Sequence, residues 1–468
     1  MKNFIEEARG IIAETLRQVD VHRVVAQHIA QDGEAMRFGK ESVPIAELDQ
    51  VIVISVGKAA LPMFEAARDA LYGVPIRAVV VTNQTTDECR IEENTQLRDT
   101  AIRRATEAHA DPHRVGPKAA FRFAQDDVIF MQGCHPLPDA ASLAATETVL
   151  ELLRWATNRT AVLFLISGGA SAMLEAPLDP QLSLADTAAF YQALIGSGMP
   201  IAQMNALRKH FSAVKGGRLA EAAETALLQY TMLISDVPTG MPDAIGSGPS
   251  LPDSSTLADC QRLLRGVTLP SAVEEFFAGP LCVETPKLED RCFERAQWDV
   301  VLSSEHLASA AAKAARAAGF RVEIDNECDE WEYRDAGRYL IDRALEISGD
   351  PNPVCLISVG EVGVTLPADT GEGGRNQQFA LWCAAEIVRR GVVATIASVG
   401  SDGIDGNSQM AGAVCDERTV ERARELGLSV EDALARFDAG PLLRKVGALI
   451  ETGPTGNNLR DLRMVLLG

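Results

Sequence analysis

The chain has 468 residues, more than a single hydrophobic core usually supports, so we expect two domains. Apolar residues make up 47% of the chain and charged residues 23%, a balance that is typical of globular proteins and excludes a disordered or fibrous chain. Asp and Glu number 65 against 44 Lys and Arg, so the formal charge is −21. This charge argues against nucleic acid and anionic membranes as partners, because both attract basic surfaces.

The cysteines and the N-terminus indicate a cytoplasmic protein. The nine cysteines form no CxxC pair and no paired Cys/His spacing, which favours reduced thiols over disulfide bonds or a structural zinc ion. The N-terminus carries Glu6 and Glu7 and lacks the apolar segment of a secretory signal. No stretch approaches the roughly 18 consecutive apolar residues of a membrane-spanning helix. We therefore predict a cytoplasmic location and no membrane partner.

Short apolar runs, each followed by a helical pattern, recur in the first half of the chain. Runs of four to eight apolar residues without alternation are typical of strands that are buried on both faces. We therefore predict a parallel sheet covered by helices in a first domain, residues 1–250. The predicted strands are 51–57, 127–133, 161–169 and 231–237, and the clearest predicted helices are 58–72 and 139–156.

The pattern changes after residue 250. Residues 251–297 contain only short mixed segments, so we interpret them as a connecting region. A second α/β alternation then predicts another domain, residues 298–468. Its predicted strands are 300–303, 320–324, 354–359 and 392–399, and its predicted helices are 305–318 and 376–389.

Glycine-rich loops follow the predicted strands, where ligands of open α/β sheets usually lie. The loop 167–171 reads SGGAS, and consecutive N–H groups freed by two glycines can form a nest for an anion such as phosphate; a plain tight turn is the alternative. Lys58 follows Gly57 at another strand end, a position like that of the lysine in a phosphate-binding loop. No glycine lies five residues before Gly57, so this is not a Walker A motif. A surface lysine is the alternative. The phosphate-binding candidates of the first loop are Ser167, Gly168, Gly169 and Ser171.

A second glycine loop precedes the helix predicted at 376–389. Residues 371–376 read GEGGRN, and a glycine loop at a helix N-terminus attracts anions through exposed N–H groups and the helix dipole. Arg375 would add a fixed positive charge, although an arginine in a first turn is often only solvated. The loop predicts a second phosphate or nucleotide site, with Gly373, Gly374 and Asn376 as its candidate residues.

Charged residues elsewhere supply the remaining candidates. Arg208 and Lys215 fall with Ser212 on one face of a helix predicted around 205–218, which suits a carboxylate or phosphate ligand; a solvated helix face is the alternative. Asp236 and Asp402 follow predicted strands, where each could hold Mg²⁺ or accept a hydroxyl proton. Capping of a turn is the alternative role for such an aspartate.

A series of short motifs that runs through most of the chain resembles the class II glycerate 2-kinase family, whose C-terminal part is the MOFRL domain. The motifs are VGKAA (56–60), HPLPD (135–139), NALRKH (205–210), KGGRLA (215–220), SDVP (235–238), GSGP (246–249), GGRNQ (373–377), SDGIDG (401–406) and TGPTG (452–456). No single motif is decisive, but their number and order are very improbable by chance.

The resemblance implies an ATP- and Mg²⁺-dependent kinase that phosphorylates the 2-hydroxyl of glycerate to give 2-phosphoglycerate. It implies two α/β domains, a Rossmann-like first domain with a three-layer parallel sheet and a smaller mixed-sheet MOFRL-type domain, with the active site in the cleft between them. A homodimer is left open as the assembly. Lys58 and Arg375 match the lysine and arginine that are regarded as central to catalysis in this family. Asp236 or Asp402 would hold the metal or accept the hydroxyl proton, so Asp236 is also a catalytic candidate. Arg208, Lys215 and Glu361 are the substrate-binding candidates.

Three positions depart from the family pattern. Ala170 replaces the third of three consecutive glycines, and Val359 stands where the family usually has glycine in Ser-Gly-Gly-Glu. The third departure is the pair Thr239-Gly240. A β-branched valine cannot easily adopt a left-handed conformation, so these departures bear on substrate choice or rate more than on fold.

Two alternative functions remain at this point. The first is a hydroxypyruvate reductase that uses NAD(P)H, although no GxGxxG opens a helix after a predicted strand, as a nicotinamide-binding unit would normally require. The second is a non-catalytic relative that binds a sugar acid.

Overall fold

The computed structural model of the chain describes residues 4–83, 128–133, 136–235, 241–349 and 352–468. The chain divides into two compact units. The N-terminal unit is Val21–Val301, and the C-terminal unit combines Met1–Asp20 with Leu302–Gly468. Within the described ranges, no helix is both long enough and apolar enough to cross a membrane.

A six-stranded sheet forms the centre of the N-terminal unit, in the order β6-β5-β4-β7-β8-β9. The neighbouring pairs from β6 to β8 are all parallel, which confirms the predicted parallel α/β sheet. A smaller antiparallel sheet, β1-β2-β3, lies in the same unit. The strands are β1 (Ile29–Asp32), β2 (Ala35–Phe38), β3 (Glu41–Pro44), β4 (Gln50–Val56), β5 (Ile76–Thr82), β6 (Val128–Gln132), β7 (Thr160–Ile166), β8 (Leu228–Ile234) and β9 (Ala296–Leu302).

The strands β4 and β7 occupy the middle of this sheet and are almost entirely buried. Their runs of Val, Ile, Leu and Phe have no alternation because helices cover both faces, as expected for a parallel sheet. Their carboxyl ends meet at one edge, where the loops after Val56 and Ile166 begin. The helices of the unit are α2 (Val21–His28), α3 (Ala60–Ala70), α4 (Ala140–Leu153), α5 (Ala170–Met173), α6 (Leu184–Gly196), α7 (Ile201–Phe211), α8 (Arg218–Ala222), α9 (Leu257–Leu263) and α10 (Ser271–Ala278).

A second six-stranded sheet, in the order β10-β11-β15-β12-β13-β14, organises the C-terminal unit. The pair β10–β11 is parallel and the others are antiparallel, so the sheet is mixed, as the family resemblance implies. Its strands are β10 (Arg321–Ile324), β11 (Val354–Gly360), β12 (Thr395–Gly400), β13 (Gly412–Cys415), β14 (Leu449–Ile450) and β15 (Asp461–Leu467). Its helices are α1 (Ile5–Gln18), α11 (Ser304–Ala317), α12 (Tyr333–Ile347), α13 (Arg375–Arg390), α14 (Glu417–Glu425), α15 (Val430–Ala435) and α16 (Ala439–Val446).

The compact units differ from the predicted domain limits at two places. Helix α1 belongs to the C-terminal unit, where the Phe4 ring meets Phe320 with centroids 5.0 Å apart and Arg9 Nη1 donates to Leu449 O at 3.1 Å. Residues 251–297 belong to the N-terminal unit, where Asp253 pairs with the buried Lys209 at 3.0 Å. The domain limits 1–250 and 298–468, with 251–297 as the connecting region, stay a prediction.

Strand β15 was not predicted from the sequence. It lies between β11 and β12 and pairs antiparallel with both, so the last residues of the chain complete the middle of the sheet. All of its residues are buried. Its first residue, Asp461, places a carboxylate at the edge of the sheet.

Candidate functional site

Two loops interlock at the carboxyl ends of β4 and β7. The N–H of Lys58 donates to Gly168 O at 2.9 Å, and the N–H of Ala59 donates to Ser167 Oγ at 3.0 Å. Gly57 has a φ of +122°, and a Cβ at this position would overlap Ser167, so only glycine fits here. The structure therefore brings the backbone of Lys58 against the predicted phosphate loop.

A chain of hydroxyl and amide groups continues from this loop. Gly169 takes a left-handed φ of +86° and is followed by the short helix α5. Ser171 Oγ lies 2.9 Å from Ser247 Oγ, and Ser247 Oγ donates to Asn205 Oδ1 at 3.1 Å. Ser247 itself has a φ of +62°, a conformation that is uncommon for a residue with a side chain. Uncommon backbone conformations of this kind are frequent at functional sites.

A cavity of about 190 Å³ opens beside these groups. This is smaller than the roughly 300–1,000 Å³ that pockets for drug-sized ligands occupy, so a small molecule suits it better. The wall combines glycine backbone, polar groups and apolar side chains. Among the lining residues are Gly168, Gly169, Ser171, Tyr191, Arg208 and Gly246.

Among the described residues that line the cavity, Arg208 is the charged one. It is only 8% exposed, and within the described part of the chain its guanidinium has no carboxylate at ion-pair distance. Its Nε, which is fully buried, also has no hydrogen-bond partner there. The guanidinium lies 4.8 Å from the centre of the Tyr191 ring, a cation–π contact. A buried guanidinium without a counter-ion is poised to accept an anion.

Lys215 has a different environment from Arg208. Helix α7 ends at Phe211, and Ser212 is extended, so the predicted basic face on a single helix 205–218 is wrong. Lys215 Nζ pairs with Glu175 Oε2 at 2.8 Å and donates to Leu174 O at 2.8 Å. Both side chains of the pair are at most 1% exposed. The positive charge of Lys215 is therefore balanced within the protein.

Arg375 lies at the start of α13 in the C-terminal unit and binds two carboxylates. Its Nε and Nη2 donate to Asp461 at 2.6 and 3.2 Å, and its Nη1 donates to Glu361 Oε2 at 2.9 Å. Burial lowers the pKa of Arg375, but the hydrogen bonds and charges of both carboxylates outweigh it and raise that pKa overall. The structure thus brings Arg375 and Glu361 together, with Asp461 as a third member that sequence reasoning missed.

The N-terminus of α13 is already occupied by a carboxylate of the chain. Asp405 accepts hydrogen bonds from the N–H groups of Asn376 and Gln377 at 3.0 and 2.8 Å. A Cβ at Gly374 would overlap Asp405, and the N–H of Gly373 donates to Asn407 Oδ1 at 2.8 Å. The glycines therefore permit close packing of two loops. Phosphate binding by Gly373, Gly374 and Asn376 stays a prediction.

The metal site also stays a prediction. Asp402 Oδ1 accepts a hydrogen bond from the N–H of Ile404 at 3.1 Å, the turn-capping geometry that was its alternative role. Asp236 lies outside the described residues. In the ranges that the structure describes, no group of three or more His, Cys, Asp or Glu residues is arranged to hold a metal ion.

Two of the departures from the family pattern are accommodated without strain. Ala170 begins α5 with an ordinary negative φ, so its methyl group does not oppose the turn. Val359 lies in β11, and its N–H donates to Asn326 Oδ1 at 2.9 Å, whereas Gly360 takes the positive φ of +124°. The pair Thr239-Gly240 lies outside the described residues.

Tyr191 and Ser247 were missed because their sequence signals are weak. An aromatic residue in an amphipathic helix indicates a core position, and α6 gives no other signal at Tyr191. The glycines on both sides of Ser247 do indicate a turn with positive φ, so this signal was available. The apolar run that follows Asp461 likewise predicts a strand.

Comparison with known proteins agrees with this architecture. A model of a domain of unknown function, DUF4147, matches residues 7–278, and the MOFRL family model matches residues 354–461. The chain is 33% identical over 438 residues to a D-glycerate 2-kinase of Thermotoga maritima, which covers 92% of this chain and 94% of the relative. It is 36% identical over 345 residues to a putative hydroxypyruvate reductase of Agrobacterium vitis, which covers 72% of this chain and 77% of the relative.

A solved structure supports the same assignment. The crystal structure of glycerate kinase from Thermotoga maritima matches with a TM-score of 0.77 and 30% identity, over 99% of both chains. The two family models together account for most of the sequence. The chain therefore belongs to the class II glycerate 2-kinase family, in which a DUF4147 domain precedes a MOFRL domain.

Proposed function

We propose that this chain is an ATP-dependent glycerate 2-kinase that transfers the γ-phosphoryl group of ATP to the 2-hydroxyl of glycerate. The observation that carries the proposal is the cavity of about 190 Å³, whose wall combines a buried arginine with a glycine loop. The relatives named as glycerate kinases support the choice of substrate and donor. Glycerate presents one carboxylate and two hydroxyls, which is the chemistry that this wall accommodates.

Arg208 is the proposed carboxylate site. A buried cation without a counter-ion raises the free energy of the protein, and a bound carboxylate lowers it again. The planar guanidinium matches the two oxygens of a carboxylate, so one contact fixes both position and orientation. The size of the cavity suits a small acid, so we assign the substrate carboxylate to Arg208.

The glycine loop is the proposed phosphate site. Gly168 and Gly169 line the same cavity as Arg208, so an acid held there would have its hydroxyls next to this loop. Lys58, whose N–H is bound to Gly168 O, is the proposed cation that neutralises the transferring group. Phosphoryl transfer needs mainly alignment and charge neutralisation, and these residues would supply both.

The remaining assignments follow the family pattern. Arg375 is proposed to stabilise charge on the phosphoryl group, with Glu361 as its exchangeable partner, since Glu361 is 37% exposed and Asp461 only 2%. Asp236 and Asp402 are the proposed residues for the Mg²⁺ that would accompany ATP. For Lys215 we propose a supporting role in place of substrate binding, because Glu175 balances its charge.

The test is a product assay on the purified full-length protein. D-glycerate with Mg-ATP should yield ADP and 2-phosphoglycerate, and the latter can be identified by coupling to enolase, which does not act on 3-phosphoglycerate. A second arm supplies hydroxypyruvate and NADH, because relatives from Agrobacterium vitis are named putative hydroxypyruvate reductases. ATP consumption without NADH oxidation supports the kinase. NADH oxidation, or turnover of neither cosubstrate, overturns it.

A further inference from the structure

One buried tyrosine, Tyr191, contacts both Arg208 and the glycine loop 167–171. Tyr191 lies on α6, is 1% exposed and lines the cavity. Its ring lies under the Arg208 guanidinium, at 4.8 Å from ring centre to Cζ. Its hydroxyl donates to the Glu175 carboxylate and lies 3.3 Å from Ser171 O. The same side chain therefore contacts both Arg208 and the last residue of the glycine loop 167–171.

A buried ion pair holds the tyrosine in place. Glu175 Oε2 accepts hydrogen bonds from both the Tyr191 hydroxyl and Lys215 Nζ, the latter at 2.8 Å. Glu175 and Lys215 are almost completely buried, so these contacts have no competition from water. Burial, and then the charge of Glu175, raise the pKa of Tyr191, which keeps its hydroxyl protonated as a donor.

The same pair also leaves the charge of Arg208 uncompensated. Glu175 and Lys215 form an ion pair, so together they have no net charge. In the cluster of Glu175, Tyr191, Arg208 and Lys215, the net charge is therefore that of Arg208. Oε2 of Glu175 binds Lys215 and Tyr191, and Oε1 has no hydrogen-bond partner among the described residues. Within the same residues, no ion pair joins Glu175 to Arg208.

We propose that Tyr191 is a positioning residue that holds the Arg208 guanidinium for the substrate carboxylate, and that the Glu175–Lys215 pair fixes Tyr191 for this task. The proposal rests on the proposed function and extends it to three residues that do not touch the reacting atoms. A long arginine side chain loses rotamer freedom when it binds a ligand. Stacking on a fixed ring removes that freedom beforehand, so the substrate binds more tightly.

The competing explanation is that Tyr191 only fills the core. Its neighbour Phe190 does so, since its ring packs against Phe211 with centroids 4.3 Å apart and is fully buried. Both residues lie on α6, and their rings meet edge to face with centroids 5.9 Å apart. Among the ring contacts that the described residues make, only Tyr191 contacts Arg208. Phe190→Leu is therefore a matched control for Tyr191→Leu.

The experiment compares Tyr191→Leu, Tyr191→Phe and Phe190→Leu with the wild type. Tyr191→Leu should raise the KM for D-glycerate about tenfold or more, as loss of a desolvated cation–π contact predicts, and leave the KM for ATP within about twofold. Tyr191→Phe keeps the ring and loses the hydroxyl anchor, so we expect a KM increase of about threefold. Phe190→Leu should lower Tm without changing the KM for D-glycerate.

Two results overturn the positioning role. One is equal KM values for D-glycerate in Tyr191→Leu and Phe190→Leu, and the other is an equal rise in the KM values for D-glycerate and ATP. Calorimetric titration with D-glycerate alone separates this inference from the proposed function. A wild type that binds D-glycerate but transfers no phosphoryl group would sink the kinase, while the same variants would still test positioning through Kd. A wild type that binds no D-glycerate overturns the positioning role as well.

Discussion

Arg208 in the N-terminal unit and Arg375 in the C-terminal unit are both partly or wholly buried arginines beside glycine-rich loops. Their guanidinium groups differ in their contacts with carboxylates. Arg375 binds Asp461 and Glu361, whereas Arg208 stacks on the ring of Tyr191 and has no carboxylate partner among the described residues. A ligand anion therefore completes the environment of Arg208, but it has to compete with carboxylates at Arg375. Sequence context alone does not distinguish an arginine that is able to bind a ligand anion from one that is already paired with two carboxylates of the chain.

This difference also separates the expected roles of the two residues. Because no described carboxylate pairs with it, Arg208 is suited to hold a stable substrate group such as a carboxylate. Arg375 is suited to charge that develops during the reaction, since Asp461 keeps it oriented while the more exposed Glu361 can be displaced.

The largest expected effect is that of Arg375→Ala. Loss of a cation that stabilises the transferring phosphoryl group should lower kcat by about 10³-fold or more. Steady-state kinetics with D-glycerate and Mg-ATP measure this. Arg390→Ala at the other end of α13, where Arg390 pairs with Glu386 and Asp342, serves as the control and should leave kcat unchanged. Near-normal turnover of Arg375→Ala would remove Arg375 from the mechanism.

The next effect is on stability. Lys215→Met leaves Glu175 as a buried charge without a cation, which should cost about 3–5 kcal/mol of unfolding free energy. Urea titration measures this free energy, and the double variant Lys215→Met with Glu175→Gln should recover part of the loss. In the single variant, Glu175 is also released to attract Arg208, so the KM for D-glycerate should rise. A cost below about 1 kcal/mol would show that the pair does not support this wall.

Asp405, which accepts hydrogen bonds at the N-terminus of α13, should make the free energy of unfolding depend on pH. Burial raises the pKa of Asp405 to about 6, above the value of about 3.9 expected in the unfolded chain. The folded protein therefore retains a proton that the unfolded chain loses. Stability from this group is complete below pH about 4 and falls by about 2–3 kcal/mol as the pH rises to about 6.

Asp405→Asn cannot titrate and serves as the reference for this effect. The free energy of unfolding of the wild type minus that of Asp405→Asn should decline between pH about 4 and about 6 and then level off. A difference that rises over this interval would show that the hydrogen bonds from Asn376 and Gln377 outweigh burial and that the carboxylate is the favoured form.

The smallest effect concerns the glycine loop of the N-terminal unit. Ala170→Gly restores the three consecutive glycines of the family pattern in a turn that Ala170 already accommodates with negative φ. We expect a loss of about 0.5–1 kcal/mol from the greater entropy of the unfolded chain. The KM for ATP should stay within about twofold of the wild type. A tenfold change would show that the methyl group shapes the phosphate loop.

The α/β layers of the molecule were predictable because buried parallel strands have a distinct pattern. The uninterrupted apolar run of β7 and the helical pattern of α13 both led to correct assignments. The central position of β15 was not predictable in the same way, since strand order depends on pairing between distant residues. Helix α1 likewise joins the C-terminal unit through contacts with residues such as Phe320, far away in the sequence.

The candidate site was predictable to the level of residue type and loop position. The sequence identified Arg208 and the loop 167–171, and the structure places both on one cavity. It could not separate Arg208 from Lys215, because the difference lies in Glu175, a carboxylate that is distant in sequence from both. It also could not reveal that Asp405 occupies the helix N-terminus behind the second glycine loop.

The most direct test of the account is the affinity of Arg208→Ala for D-glycerate, measured by calorimetric titration beside the wild type. Loss of charge-assisted hydrogen bonds to the carboxylate should raise Kd by roughly 10- to 100-fold, while the KM for ATP stays within about twofold. Thermal stability should change little, because removal of a buried charge without a carboxylate partner among the described residues offsets loss of the contact with Tyr191. An unchanged Kd for D-glycerate, or a weakened affinity for ATP instead, would contradict the assignment of this cavity to the substrate acid.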